Sequence, residues 1–274
     1  MSPRAEAATL AVAGEAVLPA GRRFRRQVGD WAPPLLTLAA LTVLWQVLAA
    51  TSGLPVWLVP TPVAVIQAGV EWWRLLPEHT LVTLYETVTG FAVAIVFAVA
   101  TALAVSAVPF LRRTLYPILL AFQSMPKIAI APLLLIWAGH GDLPKIIVVF
   151  LVCYFPIVVS TVAGLESVPA SMLELARAIS ASRWHVYSKF RLPCALPYLF
   201  VGLKVSITLA ISGAVIGEFV GASSGLGYVI ILSSQQFNTA LAFCAMLLLT
   251  LLTIILYYLV DLAERLAVPW TGTA

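Results

Sequence analysis

Three histidines, three cysteines and one glycine-flanked serine are the residues of this 274-residue chain whose types most readily do chemistry, and their spacing tests each in turn. Gly221-Ala222-Ser223-Ser224-Gly225 has the GxSxG spacing of a serine nucleophile. That chemistry needs a tight strand-to-helix turn and a histidine beside the serine. Here the pentapeptide follows an apolar run, so it reads as a Gly/Ser turn closing that run. An intramembrane serine protease with His140 as its base is the enzymatic alternative. His79, His140 and His185 lie far apart in sequence, with no HExxH, and do not read as a metal site. Cys153, Cys194 and Cys244 have no ligand spacing and read as small core residues. No GxxxxGK[ST] phosphate loop occurs, so the chain lacks that route to ATP binding and hydrolysis.

These groups sit in a chain that is 61% hydrophobic and 10% charged, against about 45–50% apolar and about 25% charged in an ordinary soluble domain. A soluble globule cannot cover itself with so few charges, and the mean hydropathy of +1.00 agrees. The chain is read as an all-α integral membrane protein. A crossing needs about 20 apolar residues. Apolar runs at about 34–50, 81–108, 114–138, 144–165, 196–220 and 239–262 predict six transmembrane helices. The first run follows Arg22-Arg23-Phe24-Arg25-Arg26. It exceeds the roughly 7–15 residues of a signal-peptide core, so it is read as an uncleaved helix. Pro55, Pro60 and Pro62 exclude a regular helix in that stretch.

The sixteen Lys and Arg divide unevenly over these spans. Arg4, Arg22, Arg23, Arg25, Arg26, Arg112, Arg113, Arg177, Arg183, Lys189, Arg191 and Arg265 fall on one side; Arg74 and Lys145 fall on the other. Twelve against two is a strong positive-inside bias. It predicts residues 1–33 as a cytoplasmic N-terminal tail, with the first twenty nearly structureless. Residues 34–266 form the six-span domain, and 267–274 a cytoplasmic C-terminal tail.

Within the spans, Pro126 and Pro132 interrupt the third run and free backbone carbonyls that protein or a cavity must cover. Lys127 beside that break is too deep to snorkel easily and should face a partner or an aqueous path; Lys204 is nearer a span end and snorkels more readily. Glu86 and Glu218 lie toward the external side. Gly213, Gly217 and Gly221 form a four-residue row that lets helices approach closely, within one bundle or across a dimer axis.

The segment 166–197 is too polar to span and too patterned for a floppy loop. Ser171-Met172-Leu173-Glu174 fits a capping box. Ser180-Ala181-Ser182 breaks the helix, Ser182 caps a second one through about Lys189, and Leu192-Pro193 ends that. An amphipathic helix of this kind lies on lipid or is presented to a partner.

This segment resembles the cytoplasmic loop of bacterial ABC importer permeases, with its EAA, three residues, Gly, and a later I-x-L-P. Glu174 and Ala176 match, Leu175 replaces the middle Ala, Ser180 occupies the Gly slot, and Leu192-Pro193-Cys194-Ala195-Leu196-Pro197 matches the ending. Ser at the Gly slot tolerates a positive φ less well, so the turn is expected to be built differently. Met125-Pro126-Lys127-Ile128-Ala129-Ile130-Ala131-Pro132, Glu218 with Gly225-Leu226-Gly227-Tyr228, and Trp57 with Pro60-Thr61-Pro62 resemble the nitrate/sulfonate/taurine-type subfamily.

The resemblance implies a MetI-like permease fold with a coupling loop at 166–195, in which Leu173, Glu174, Ala176, Ala178, Ser180, Leu192 and Pro193 meet an ATPase. It implies a second permease copy, two cytoplasmic ABC ATPase subunits that bind the ATP, and a periplasmic or lipid-anchored solute-binding protein. The chain itself then has no cofactor, no enzymatic activity and no nucleic-acid partner. Its place is the bacterial cytoplasmic (inner) membrane, multi-pass, with both termini cytoplasmic. The expected cargo is a small anionic solute such as a sulfonate, taurine or nitrate, with Pro126, Lys127 and Glu218 as translocation-path candidates. An ion-coupled secondary transporter is the second alternative; such proteins usually carry an inverted repeat, and none is evident here.

Overall fold

Prolines set most of the helix boundaries. The computed structural model describes residues 20–271; the Ala-rich start of the chain lies outside the described residues. Helix α1 (Ala20–Thr51) is apolar enough to cross a membrane from Pro33 onward. The described residues then divide into two units: 20–55 with 61–63, and a bundle of 56–60 with 64–271. Residues 53–61 are non-helical around Pro55 and Pro60, and Pro62 opens α2 (Pro62–Glu71), a short helix the proline pattern did not anticipate.

In the bundle, α3 (Leu76–Ala107) and α4 (Pro109–Gln123) each carry proline in the first turn, where its missing N–H has no intrahelical acceptor to lose. After Gln123, Pro126 precedes a 3₁₀ turn (Lys127–Ile130) that leads into α5 (Ala131–Ala138). Helix α4 and the stretch Lys127–Ala138 form a pair bent by 86° at this break. Then follow α6 (Asp142–Glu166), the short α7 (Ala170–Ala178) and α8 (Arg183–Val186), a π-helical turn (Tyr187–Arg191), and α9 (Leu192–Phe219). The chain closes with α10 (Leu226–Gln235) and α11 (Thr239–Ala267). Among the described residues five helices are long and apolar enough to cross singly, and the bent pair makes a sixth if it crosses.

Contacts decide that it does. Lys145 near the start of α6 meets Glu86 near the start of α3, and Tyr154 further along α6 meets Thr101 further along α3. Glu166 at the end of α6 meets Arg112, just past the end of α3. So α3 and α6 run parallel. The chain leaves α3 at the Glu166 end and re-enters α6 at the Glu86 end, so residues 109–138 must travel the length of the bundle. Reporter fusions after residues 112 and 142 should therefore read opposite compartments; the same reading from both would make the bent pair a re-entrant loop.

Helix α6 is the central element, and glycine lets its neighbours close on it. A Cβ on Gly90 of α3 would stand 2.6 Å from Val149 Cβ, and one on Gly213 of α9 would stand 3.1 Å from Val149 Cα. Along the antiparallel α6–α9 contact, Gly164 meets Tyr198 and Ala195, Gly202 meets Ser160, and a Cβ on Gly217 would stand 2.9 Å from Lys145 Cα. Gly221 rests on Leu135 of α5. The row Gly213, Gly217 and Gly221 thus packs inside this bundle. Two further notches, Gly90 and Gly164, belong to no row in the sequence.

Lys204 does not snorkel. Its Nζ sits 2.5 Å from both Asp261 and Glu264 of α11, and Arg265 closes on Asp261 at 2.9 Å. This network ties α9 to α11.

Candidate functional site

The α7–α8 segment is built differently from its sequence pattern. Ser171 caps nothing: α7 starts at Ala170 with Pro169 in the cap position, and Pro169 O accepts the Met172 and Leu173 N–H groups. The expected Ser171–Glu174 capping box is therefore absent, because Pro169 already starts the helix two residues earlier. At the other end Ser180 N–H bonds to Arg177 O and Ala181 N–H to Ala176 O, with Ser180 at φ +53°. This is the paired-bond C-terminal motif normally completed by glycine. Serine keeps the glycine geometry and carries its strain, so the turn is not built differently for want of glycine. Ser180→Gly should stabilise the purified protein by about 1 kcal/mol, seen as a raised thermal midpoint with transport intact; Ser180→Val should lower it.

Ser182 caps the next element, its Oγ accepting the His185 N–H at 3.3 Å. Leu192-Pro193 does not end this helix. The backbone runs from α8 through the π-helical turn directly into α9, whose opening turn holds Pro193. A widened turn accommodates what a regular helix would have to break for.

Ala176 is 1% exposed and marks the inward side of α7. At 100° per residue, Glu174 and Ala178 project roughly opposite it, and both are exposed. Met172, Leu175 and Ile179 form an exposed apolar row on one flank. Leu173 and Arg177 lie on the other flank, over a cavity. Arg112 pairs with Glu166 at 2.6 Å beside the loop.

A buried polar cluster occupies the opposite end of the bundle. Lys145, which the charge count placed in an external loop, is 6% exposed and paired with Glu86, itself fully buried. Asp142 adds a second contact to Lys145 at 3.1 Å. Glu86 Oε2 and Thr87 Oγ1 lack hydrogen-bond partners among the described residues. Glu218 is sealed in the same region. Thr83 Oγ1 donates to its Oε1 at 2.6 Å, and its Oε2 accepts the Gly227 N–H. Thr83 Oγ1 also accepts the Leu226 N–H at 2.8 Å, and His79 Nδ1 accepts the Gly225 N–H at 3.0 Å. Three remote side chains therefore satisfy three successive amides at the start of α10, which would otherwise be orphaned. Gly225 is required there: its φ is +106°, and any Cβ would collide with the Glu218 carboxyl group.

Lys127 and Glu218 are not brought together. Lys127 is half-buried at the helix break, where its Nζ donates to Gln123 O at 3.0 Å and lies 5.4 Å from the Phe155 ring centre. Among the described residues no carboxylate lies within ion-pairing distance of it. The break frees Gln123 O, and the lysine covers it. Pro126 is exposed beside it. Ser223 sits in the turn before α10 with no hydrogen bond to a histidine among the described residues. His79 reaches this turn but spends its Nδ1 on the Gly225 amide. The turn joins two helices and offers no nucleophile elbow.

Parallel and antiparallel spanning helices around α6, a bent third crossing and a short helix carried between α6 and α9 define a membrane transport subunit. The chain belongs to the family of binding-protein-dependent transport system inner membrane components, whose profile matches residues 90–272. It is a multi-pass ABC importer permease subunit. It is 38% identical over 242 residues to the riboflavin transport system permease protein RibX of Chloroflexus aurantiacus, covering 87% of this chain and 90% of that one. It is 26% identical over 243 residues to the taurine transport system permease protein TauC of Escherichia coli, covering 86% and 88%. A chain from inward-facing MetNI, a methionine ABC transporter, shares the fold at TM-score 0.63 and 21% identity, covering 71% of this chain and 97% of that one.

Proposed function

We propose that two copies of this chain form the path of an importer, with an ATPase subunit docked on each α7–α8 segment and a solute-binding protein at the opposite end. The observation that carries this reading is α7 itself. It is a helix held between two spanning helices by short linkers, with Glu174 and Ala178 turned outward and an apolar row, Met172, Leu175 and Ile179, exposed beside them. The charge bias supports placing that loop and both termini in the cytoplasm of a bacterial inner membrane. ATP binds the partner; this chain contributes no cofactor site and no hydrolysis.

The cargo is a small anion. Lys127 supports this, being a cation at the bundle's mid-depth with no carboxylate near it among the described residues. A second reading, a nitrogen heterocycle, is favoured by the higher identity to RibX than to TauC. Uptake by the reconstituted transporter separates them. With an anionic cargo, Lys127→Gln should raise KM about tenfold, the loss of about 1.4 kcal/mol of charge interaction. Uptake of riboflavin, unchanged by Lys127→Gln and with no taurine, sulfonate or nitrate uptake, would reject the anion.

A further inference from the structure

The flank of α7 opposite its apolar row roofs a groove of about 1070 Å³. Its floor is the end of α3 and the start of α4, with Leu103, Ala104 and Pro109; its wall is Trp184, Tyr187 and Arg191. We propose that this groove binds the headgroup of an acidic phospholipid, with Arg177 and Arg191 as the phosphate ligands.

Three observations support it. The first is charge. The Arg177 side chain makes no ion pair or hydrogen bond among the described residues, and the Arg191 side chain has only Ser106 Oγ at 3.3 Å and the Tyr187 ring at 6.0 Å. Two guanidinium groups therefore face one cavity without a carboxylate to neutralise them, and a planar guanidinium matches phosphate oxygens bidentately. The second is depth. The groove lies where the long apolar α3 ends and α9 begins, which is the level of lipid headgroups. Trp184, 73% exposed, and Tyr187 are the aromatic types enriched at that level. The third is the shape of the chemistry. The groove is cationic at Arg177 and Arg191 and apolar along Leu103, Ala104 and Val186, which suits a phosphate joined to acyl chains. A basic pocket between spanning helices on the positively charged side is a known way to hold such headgroups.

The geometry also explains how the site differs from the ATPase contact. Glu174 and Ala178 lie on another face of α7 from Leu173 and Arg177, so both surfaces can be used at once. The inference rests on the chain being a membrane-spanning permease and is independent of its cargo.

The test uses the full chain purified with its ATPase and analysed by native mass spectrometry after exchange into phosphatidylglycerol or phosphatidylcholine. The wild type should retain phosphatidylglycerol and not phosphatidylcholine. Arg177→Gln with Arg191→Gln should weaken retention at least tenfold, and Arg177→Lys with Arg191→Lys should keep most of it. The lysine pair guards against a folding defect, because it alters the same positions. Inorganic phosphate at millimolar concentration should not displace the lipid; if it does, the site takes a free anion and the lipid assignment fails. Equal retention by the glutamine pair overturns the proposal. So does a crosslink from cysteine at Ala181 to the ATPase that expels bound lipid, which would make the groove part of the ATPase interface. Loss of ATPase association with lipid retention intact would count against the transporter assembly alone.

Discussion

Lys145→Ala is expected to leave little folded protein in the membrane. Lys145 is the buried counter-charge to Glu86, whose carboxyl group is fully enclosed. Glu218 lies within electrostatic reach of both. Removing the lysine strands a buried carboxylate, and breaking one partner of such a pair costs about 3–5 kcal/mol. That is a large fraction of the roughly 5–15 kcal/mol that holds a typical domain together. The alanine also opens a gap against Gly217, which packs on the Lys145 backbone and side chain. Replacing both partners, as in Lys145→Met with Glu86→Met, removes the stranded charge and should restore at least half of the protein level. Size-exclusion profiles of the solubilised protein read both results. A monodisperse Lys145→Ala protein at wild-type yield would mean that the pair contributes nothing to assembly.

Glu174→Lys is expected to abolish uptake while leaving insertion and protein level normal. Glu174 is exposed, its side chain makes no hydrogen bond or ion pair among the described residues, and it closes no capping box. Its removal therefore costs the fold almost nothing, since surface substitutions away from special features fall within about 0.5 kcal/mol. A helix merely resting on lipid would tolerate the lysine. A helix seated against an ATPase would meet a reversed charge at the contact that transmits its motion. Pull-down of the ATPase should weaken, and a cysteine at Ala178, on the same face, should crosslink to it and stop turnover. Full uptake by Glu174→Lys, without the Ala178 crosslink, would falsify the coupling role.

Much of this fold is legible in local sequence. Apolar run length places the spanning helices within a few residues, because the bilayer imposes one length on all of them. The loop between α6 and α9 declares itself by its polarity. What stays hidden depends on remote partners. Lys145 looks like a loop cation until Glu86, 59 residues earlier, closes on it. Gly90 and Gly164 are single small residues in apolar runs, and only Val149, Tyr198 and Ala195 reveal why they are there. The Ser171 capping pattern misleads because Pro169, two residues upstream, starts the helix first. Helix α10 is too short to span, so run length does not announce it. Its start is fixed by His79, Thr83 and Glu218, none of which is adjacent in sequence.

The α6–α9 contact also limits how the machine can move. Gly164, Gly202 and Gly217 each receive a neighbour so closely that a Cβ would stand 2.9 Å or less from it. They act as notches spaced along a hairpin whose tip is α7. Sliding one helix by a single residue, about 1.5 Å, would lift every notch off its tooth together and press side chains into backbone. Swinging the hairpin as one arm disturbs none of them. A push at the tip would therefore move α6 and α9 together, as one stiff arm.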